Sequence, residues 1–120
     1  PRPRWVLPAV EKFIGEEIHE LQFSGGGAVS NEWSQIMADT MNRPVHQLAQ
    51  PRFVNNRGTA FLAFHELGLA SLTDIDQHCR IARTYEPRPE HRARYDGLFE
   101  QFVAAWDRNR PIFEALNEPG

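Results

Sequence analysis

The sequence has a single cysteine, Cys79, so no disulfide can form within the chain and a reducing cytoplasm is its natural setting. No stretch reaches the roughly 18 apolar residues of a membrane span, and no signal-peptide pattern opens the chain. Positive charge is not in excess. The formal net charge is -3, which argues against a dedicated nucleic-acid binder, because neutralising phosphates needs a basic face. His19, His46, His65, His78 and His91 form no H-x₃-H pair and no zinc-type spacing with Cys79, so no metal site is assigned. Gly-Lys-Ser/Thr is absent, which removes the lysine-bearing phosphate loop. No methionine stands at the start. Pro1-Arg-Pro-Arg4 reads as a piece cut from a longer protein, and 120 residues make one domain at most.

What is present is a glycine triplet between a short apolar segment and an amphipathic one. Ile18, Leu21 and Phe23 suit a buried strand. Gly25, Gly26 and Gly27 leave the backbone free for positive φ and for close approach of another group. Ser30 or Asn31 is a good N-cap, with Trp33, Ile36, Met37 and Thr40/Met41 following at helical spacing. A strand, a glycine loop and a helix start turn several N–H groups and the positive helix end toward one place, and that place suits a phosphate. Tight turns also use glycine runs, so the triplet alone leaves both readings open. Gly25-x-Gly27-x-x-Ser30 falls one residue short of the dinucleotide fingerprint. The second strand candidate, Val45 to Gln50, has no carboxylate for a ribose, so nicotinamide chemistry fits poorly.

Along the rest of the chain, Val6, Leu7, Val10, Phe13 and Ile14 form a helical apolar stripe stopped by Gly15, with Pro8 tolerable in a first turn. Asn42-Arg-Pro44 ends the next helix, and Val45 to Leu48 is a strand parallel to the first. Asn55 caps a helix carrying Ala60, Phe61, Phe64 and Leu67 and ending at Gly68. Thr73-Asp-Ile-Asp76 reads as a capping box, and Ile81 to Tyr85 as a short extended piece. Glu86 to His91 is a stiff loop, and the Arg88, Arg92, Arg94 cluster a solvated helix start. The last helix runs from about Arg92, with Tyr95, Leu98, Phe99, Phe102, Val103 and Trp106 on one face, until Pro111 interrupts it. His46 and His65 read as surface residues of a strand and a helix.

Two stretches carry a resemblance. Gly25-Gly-Gly-Ala-Val-Ser-Asn-Glu-Trp-Ser-Gln-Ile-Met-Ala-Asp39, with Asn42-Arg-Pro-Val45 after it, resembles the adenosine-motif region of the FGGY carbohydrate kinases, xylulokinase-like members above all. Tyr85-Glu-Pro-Arg-Pro-Glu90 with Tyr95-Asp96 is similar to the Glu-Pro-x-Pro-Glu…Tyr-Asp signature near the C-terminus of that family. The two lie in the family's order, and the similarity covers nearly all of the chain.

The resemblance implies an α/β fold, part of an actin-like (ribonuclease H-like) ATPase domain: a small parallel sheet flanked by helices, with a helical C-terminal tail. Residues 1–120 would be the adenosine-motif half of the C-terminal domain. It implies ATP with Mg²⁺, a sugar substrate with D-xylulose the best match, and the remainder of a cytoplasmic kinase as partner. Gly25, Gly26, Gly27 and Asn31 would hold the nucleotide. The catalytic aspartate, the Mg²⁺-linked carboxylate and most of the sugar pocket would lie outside these residues, leaving the chain inactive alone. Asn55 and Asn56 stand where relatives often carry an acidic residue, so Gly58 and Ala60 are read as small for packing. A sheet with unpaired edges is expected to be marginal alone or to pair with another chain, and the protein to be a homo-oligomer. No membrane or nucleic-acid partner is expected. Another actin-like ATPase, or an interaction module using the Phe99/Phe102/Trp106 face, are the alternatives.

Overall fold

The structure, a computed structural model, describes residues 2–117. Helix α1 (Arg2–Ile14) leads into strand β1 (Leu21–Phe23), the glycine loop, and helix α2 (Asn31–Met41). Strand β2 (Val45–Leu48), helix α3 (Val54–Glu66), the single turn α4 (Ile75–His78), strand β3 (Ile81–Tyr85) and the long helix α5 (Arg92–Leu116) follow. Short 3₁₀ turns join several of them, at Gly27–Val29, Pro51–Phe53, Leu72–Asp74 and Pro89–His91.

The sheet order is β1-β2-β3. Strands β1 and β2 are the expected parallel pair, with Leu21 opposite Val45 and Phe23 opposite Gln47. Strand β3 runs antiparallel to β2, Tyr85 opposite Val45, so the sheet is mixed rather than wholly parallel. The reason lies in the connection. The α3–α4 excursion leaves from Leu48 and returns beside it, where Ala49 N–H donates to Arg80 O at 2.7 Å, so β3 must run back the other way. Ala38, Val45 and Tyr85 are buried together, with Leu21, Phe23 and Met37 packed against them. This small core ties the two ends of the resemblance, through α2 and the last residue of β3, to the central strand.

Helix ends follow the glycine and asparagine signals. Gly15 (φ +80) and Gly68 (φ +71) close α1 and α3, and Asn42 (φ 53) ends α2 in the left-handed region. Four local expectations are corrected. Pro8 sits in the interior of α1, not its first turn, because the helix begins at Arg2. α3 starts at Val54 after the Pro51 turn, so Asn55 lies inside it and caps nothing. Ser71, not Thr73, caps the Leu72 turn, its hydroxyl accepting from Thr73 N–H at 3.4 Å. α5 passes through Pro111 without a break. In α2 the buried positions are Ser34, Ala38, Asp39 and Met41, whereas Trp33 of the expected apolar stripe is 58% exposed. Polar Ser34 is tolerated there because its hydroxyl donates to Ser30 O at 3.0 Å.

Helix α1 lies against α5. Trp5 meets Phe102 and Trp106 edge-on at 6.1 and 5.9 Å, and the Arg4 guanidinium stands 4.6 Å over Phe99 while pairing with Asp96. Arg43, just past α2, binds Glu11 and the Ile18 carbonyl, fixing α1 to the entry of β1.

Candidate nucleotide-loop site

β1 and β2 run parallel, so their carboxyl ends lie on one edge, and the glycine loop leaves from that edge. In open α/β sheets this edge is where ligands collect. Gly25 takes φ +88, a conformation costly for any residue with a Cβ, and its N–H donates to Pro51 O at 2.9 Å. The chain then winds into the 3₁₀ turn, with Ala28 N–H to Gly25 O at 3.2 Å and Ser30 N–H to Gly27 O at 3.2 Å. Among the described residues, the N–H groups of Gly26 and Gly27 donate to no protein acceptor. Ser30 is the N-cap of α2: its side chain accepts from Trp33 N–H at 3.1 Å. Ser30 Oγ also donates to Glu32 at 2.8 Å, and this bond holds the Glu32 carboxyl below its ordinary value.

The three glycines are not equivalent. A Cβ added at Gly25 or Gly26 meets nothing within 4 Å, so the loop faces open space there. A Cβ at Gly27 would stand 3.3 Å from Phe23 Cζ. Part of the reason for glycine at 27 is therefore the protein's own packing, which the spacing of the triplet did not reveal.

Asn31, the first residue of α2, is exposed, and its side-chain oxygen is engaged from below. Tyr85 O–H lies 2.8 Å from Asn31 Oδ1, and Gln47 Nε2–H donates to the same oxygen at 3.3 Å. Gln47 Nε2–H also donates to Ala28 O at 2.7 Å, linking the floor of the glycine turn to β2. Gly25, Gly26, Gly27 and Asn31 thus line one stretch of the strand edge, with Tyr85 and Gln47 beneath. Sequence reasoning missed those two. The signal available was the two-residue alternation of β2, which puts Gln47 on the same buried face as Val45; nothing comparable marks Tyr85, the one buried residue of β3.

A second constellation was also missed. The Asp39 side chain, fully buried, accepts from Arg88 Nε at 3.0 Å and Nη2 at 2.6 Å, Arg88 N–H at 2.9 Å and Gln35 Nε2 at 3.0 Å, with His91 Nδ1 at 3.2 Å. Burial pushes this carboxyl up, but the Arg88, Gln35 and His91 hydrogen bonds outweigh it and hold it below the ordinary aspartate value. Arg88 is therefore no merely solvated residue at a helix start. Gln35 also donates to Glu86 O at 2.8 Å, so α2 grips the Glu-Pro-Arg-Pro loop at several points. These contacts are structural, and they join the two motifs on which the family resemblance rests.

Other candidates are absorbed by the fold. His46 pairs with Thr84 at 2.8 Å and Glu20 at 3.0 Å, and His65 with Ala70 O at 3.0 Å. A mostly apolar cavity of about 570 Å³ between α3 and α4 is lined by Val54, Gly58, Phe61, Phe64, Ile75 and Cys79 among others, and touches no residue of the glycine loop. Among the described residues no three His, Cys, Asp or Glu side chains gather where a metal ion could be held. None of the described helices is long and apolar enough to cross a membrane.

No family profile matches the chain. It is 30% identical over 102 residues to an autoinducer-2 kinase of Enterobacter sp. strain 638, covering 83% of this chain and 19% of that protein. Among solved structures it superposes on xylulose kinase from Rhodospirillum rubrum with a TM-score of 0.65 and 29% identity, over 89% of this chain and 22% of that one. Xylulose kinase from Lactobacillus acidophilus gives a TM-score of 0.69 at 23% identity, over 88% and 22%. The fold is therefore that of the sugar kinases of actin-like ATPase architecture. The chain spans about a fifth of the length of these relatives, and it belongs to the FGGY family of carbohydrate kinases.

Proposed function

We propose that residues 1–120 form the adenosine-motif half of the C-terminal domain of an ATP-dependent sugar kinase, and that residues 25–31 hold the nucleotide. In this reading ATP, carried with Mg²⁺, supplies the γ-phosphoryl group, and a sugar hydroxyl receives it. D-xylulose is the sugar we favour, since the xylulose kinase of Rhodospirillum rubrum is among the structural neighbours, alongside a gluconate kinase. Such transfer rests on positioning and on neutralising phosphate charge, and this chain contributes to the first.

Each part of the site has a defined task. The free N–H groups of Gly26 and Gly27, beside the positive end of α2, offer donors to an anionic or polar ligand edge. The open space at Gly25 and Gly26 lets that ligand approach the main chain. Asn31 supplies a side-chain hydrogen bond on the same rim. The residues fit a nucleotide in donor type and in access. They offer no carboxylate cluster for Mg²⁺, so the metal would be held by the phosphates and by residues elsewhere, together with the catalytic base. The chain by itself should accordingly phosphorylate nothing.

The observation that carries this reading is the unsubstituted, outward-facing backbone at Gly26, set at the carboxyl edge of the parallel pair. Calorimetric titration of the intact protein with a non-hydrolysable ATP analogue tests it. Asn31→Ala should weaken binding by about 1 kcal/mol, the usual net value of one hydrogen bond. Equal affinity in the wild type and in Gly26→Val would sink the assignment. A panel of sugars assayed with the intact enzyme tests the substrate, and no preference for D-xylulose would remove that part alone.

A further inference from the structure

Resting on the nucleotide-loop reading, we infer that Asn31 presents only a hydrogen-bond donor to its ligand, and that Tyr85 and Gln47 are the residues that fix it in that sense. The argument runs through three groups whose roles follow from one another. The Ala28 carbonyl can only accept, so the Gln47 amide atom 2.7 Å from it must be the nitrogen. That same nitrogen lies 3.3 Å from the Asn31 side chain, so the Asn31 atom facing it must be the oxygen. Tyr85 O–H, 2.8 Å from this oxygen, adds a second donor to it. The hydroxyl also lies 3.2 Å from Gln47 Oε1 and has one proton to give, and the shorter distance favours Asn31. With its oxygen held inward by two donors, the Asn31 amide must turn its NH₂ group outward. That nitrogen has no partner among the described residues.

The network is anchored where it cannot easily adapt. Ala28 is fully buried, and Tyr85 is 4% and Gln47 8% exposed. Flipping the Asn31 amide would set NH₂ against NH₂ at Gln47, lose that bond, and turn the Tyr85 proton from Asn31 at 2.8 Å to Gln47 Oε1 at 3.2 Å. An amide that could otherwise accept or donate is thereby restricted to donating. The site selects, at this point, a ligand atom that can accept a hydrogen bond. Tyr85 and Gln47 act through Asn31, as positioning residues.

Asn31→Asp isolates the outward atom. It is nearly isosteric, keeps an oxygen toward Tyr85 and Gln47, replaces only the NH₂ by oxygen, and suits the first turn of a helix. Binding of ATP, and of uncharged adenosine so that phosphate repulsion does not enter, is measured for the intact protein. Asn31→Asp is expected to weaken both ligands at least as much as Asn31→Ala, about fivefold for one lost hydrogen bond. Adenosine bound by Asn31→Asp as by the wild type would overturn the donor assignment. Tyr85→Phe tests the positioning role: about a threefold loss is expected in the wild-type background, on the scale of part of one hydrogen bond, and none in the Asn31→Asp background, where the two side-chain oxygens are equivalent. The same loss in both backgrounds would show a merely structural Tyr85 and overturn that role. The nucleotide-loop reading fails separately, if Gly26→Val leaves ATP affinity unchanged.

Discussion

Arg88 places Nε and Nη2 on one oxygen of Asp39, at 3.0 and 2.6 Å, while its own N–H takes the other oxygen at 2.9 Å. The Asp39 side chain is wholly buried and the Arg88 side chain is 43% exposed, so the pair is neither a surface bridge nor a fully desolvated one. It holds the loop after β3 against α2, and through α2 it supports the helix start that carries Asn31.

Asp39→Asn keeps the shape and removes the charge, so it measures the ionic part of this grip. At neutral pH it should destabilise the intact protein by about 2 kcal/mol, less than the full cost of breaking a buried pair because Arg88 stays partly in water. The folded carboxyl titrates below the ordinary value of 3.8, so its contribution is present above that value and fades as pH falls through the lower folded one. The stability difference between wild type and Asp39→Asn, followed by urea unfolding, should therefore be constant from neutral pH down to the ordinary value and shrink below it. A difference that grows on acidification would contradict the ion pair as described.

Gly26 and Gly27 answer different questions. At Gly26 the backbone is right-handed helical (φ -60) and the space beside it is open, so Gly26→Val should leave folding almost unchanged. If residues 25–31 hold a nucleotide, that same substitution should still reduce affinity tenfold or more, on the scale of about 1.4 kcal/mol. Gly27→Val should lower affinity further, and stability with it, because the new side chain meets the Phe23 ring. Thermal midpoints measured beside nucleotide affinities separate the two effects. A Gly26→Val protein that melts far below the wild type would mean that the loop is packed rather than open.

How much of this was legible in the chain depended on whether the signal was local. The glycine loop, the Ser30 cap, the stops at Gly15, Asn42 and Gly68, and the β2 strand all announce themselves within a few residues. The antiparallel return of β3 was not legible, since nothing in Ile81 to Tyr85 records which end of the sheet α3 and α4 come back to. The Asp39–Arg88 pair is 49 residues apart, and each partner alone reads as an ordinary charged position on a helix or loop. The Asn31–Tyr85 bond spans 54 residues for the same reason. At α3, a favourable asparagine was overruled because the Pro51 turn had already started the helical path.

Pro111 lies inside α5, where it has no N–H to donate to the preceding turn and where a proline ring ordinarily crowds the carbonyl four residues back. The helix nonetheless continues to Leu116, with the Trp106 and Phe113 rings 6.1 Å apart across the proline. Pro111→Ala should restore the missing bond and stabilise the protein by about 1–2 kcal/mol, below the full interior cost because this last stretch is exposed. Circular dichroism at 222 nm, a helix band, and thermal unfolding would show it. Lower stability in Pro111→Ala would mean that the proline fits a bend the rest of the structure needs.

The isolated 120-residue chain should behave as an incomplete domain. Its radius of gyration is 18.1 Å, against about 13.6 Å for a compact domain of this length. Its accessible surface is 9007 Å², against roughly 6,600 Å² expected for a folded monomer of this mass. Phe13 is 91% exposed, Leu69 72% and Leu116 76%, on three separate helical or loop surfaces, and β1 and β3 each leave one strand edge unpaired within this sheet. With so little apolar surface removed from water, the conformational entropy lost on folding is hard to offset. Expressed alone, the chain should unfold over a broad urea range or associate with further copies as concentration rises, as sedimentation velocity would report. A sharp transition independent of concentration, in a strictly monomeric chain, would show that these faces need no partner and that residues 1–120 are a self-sufficient domain.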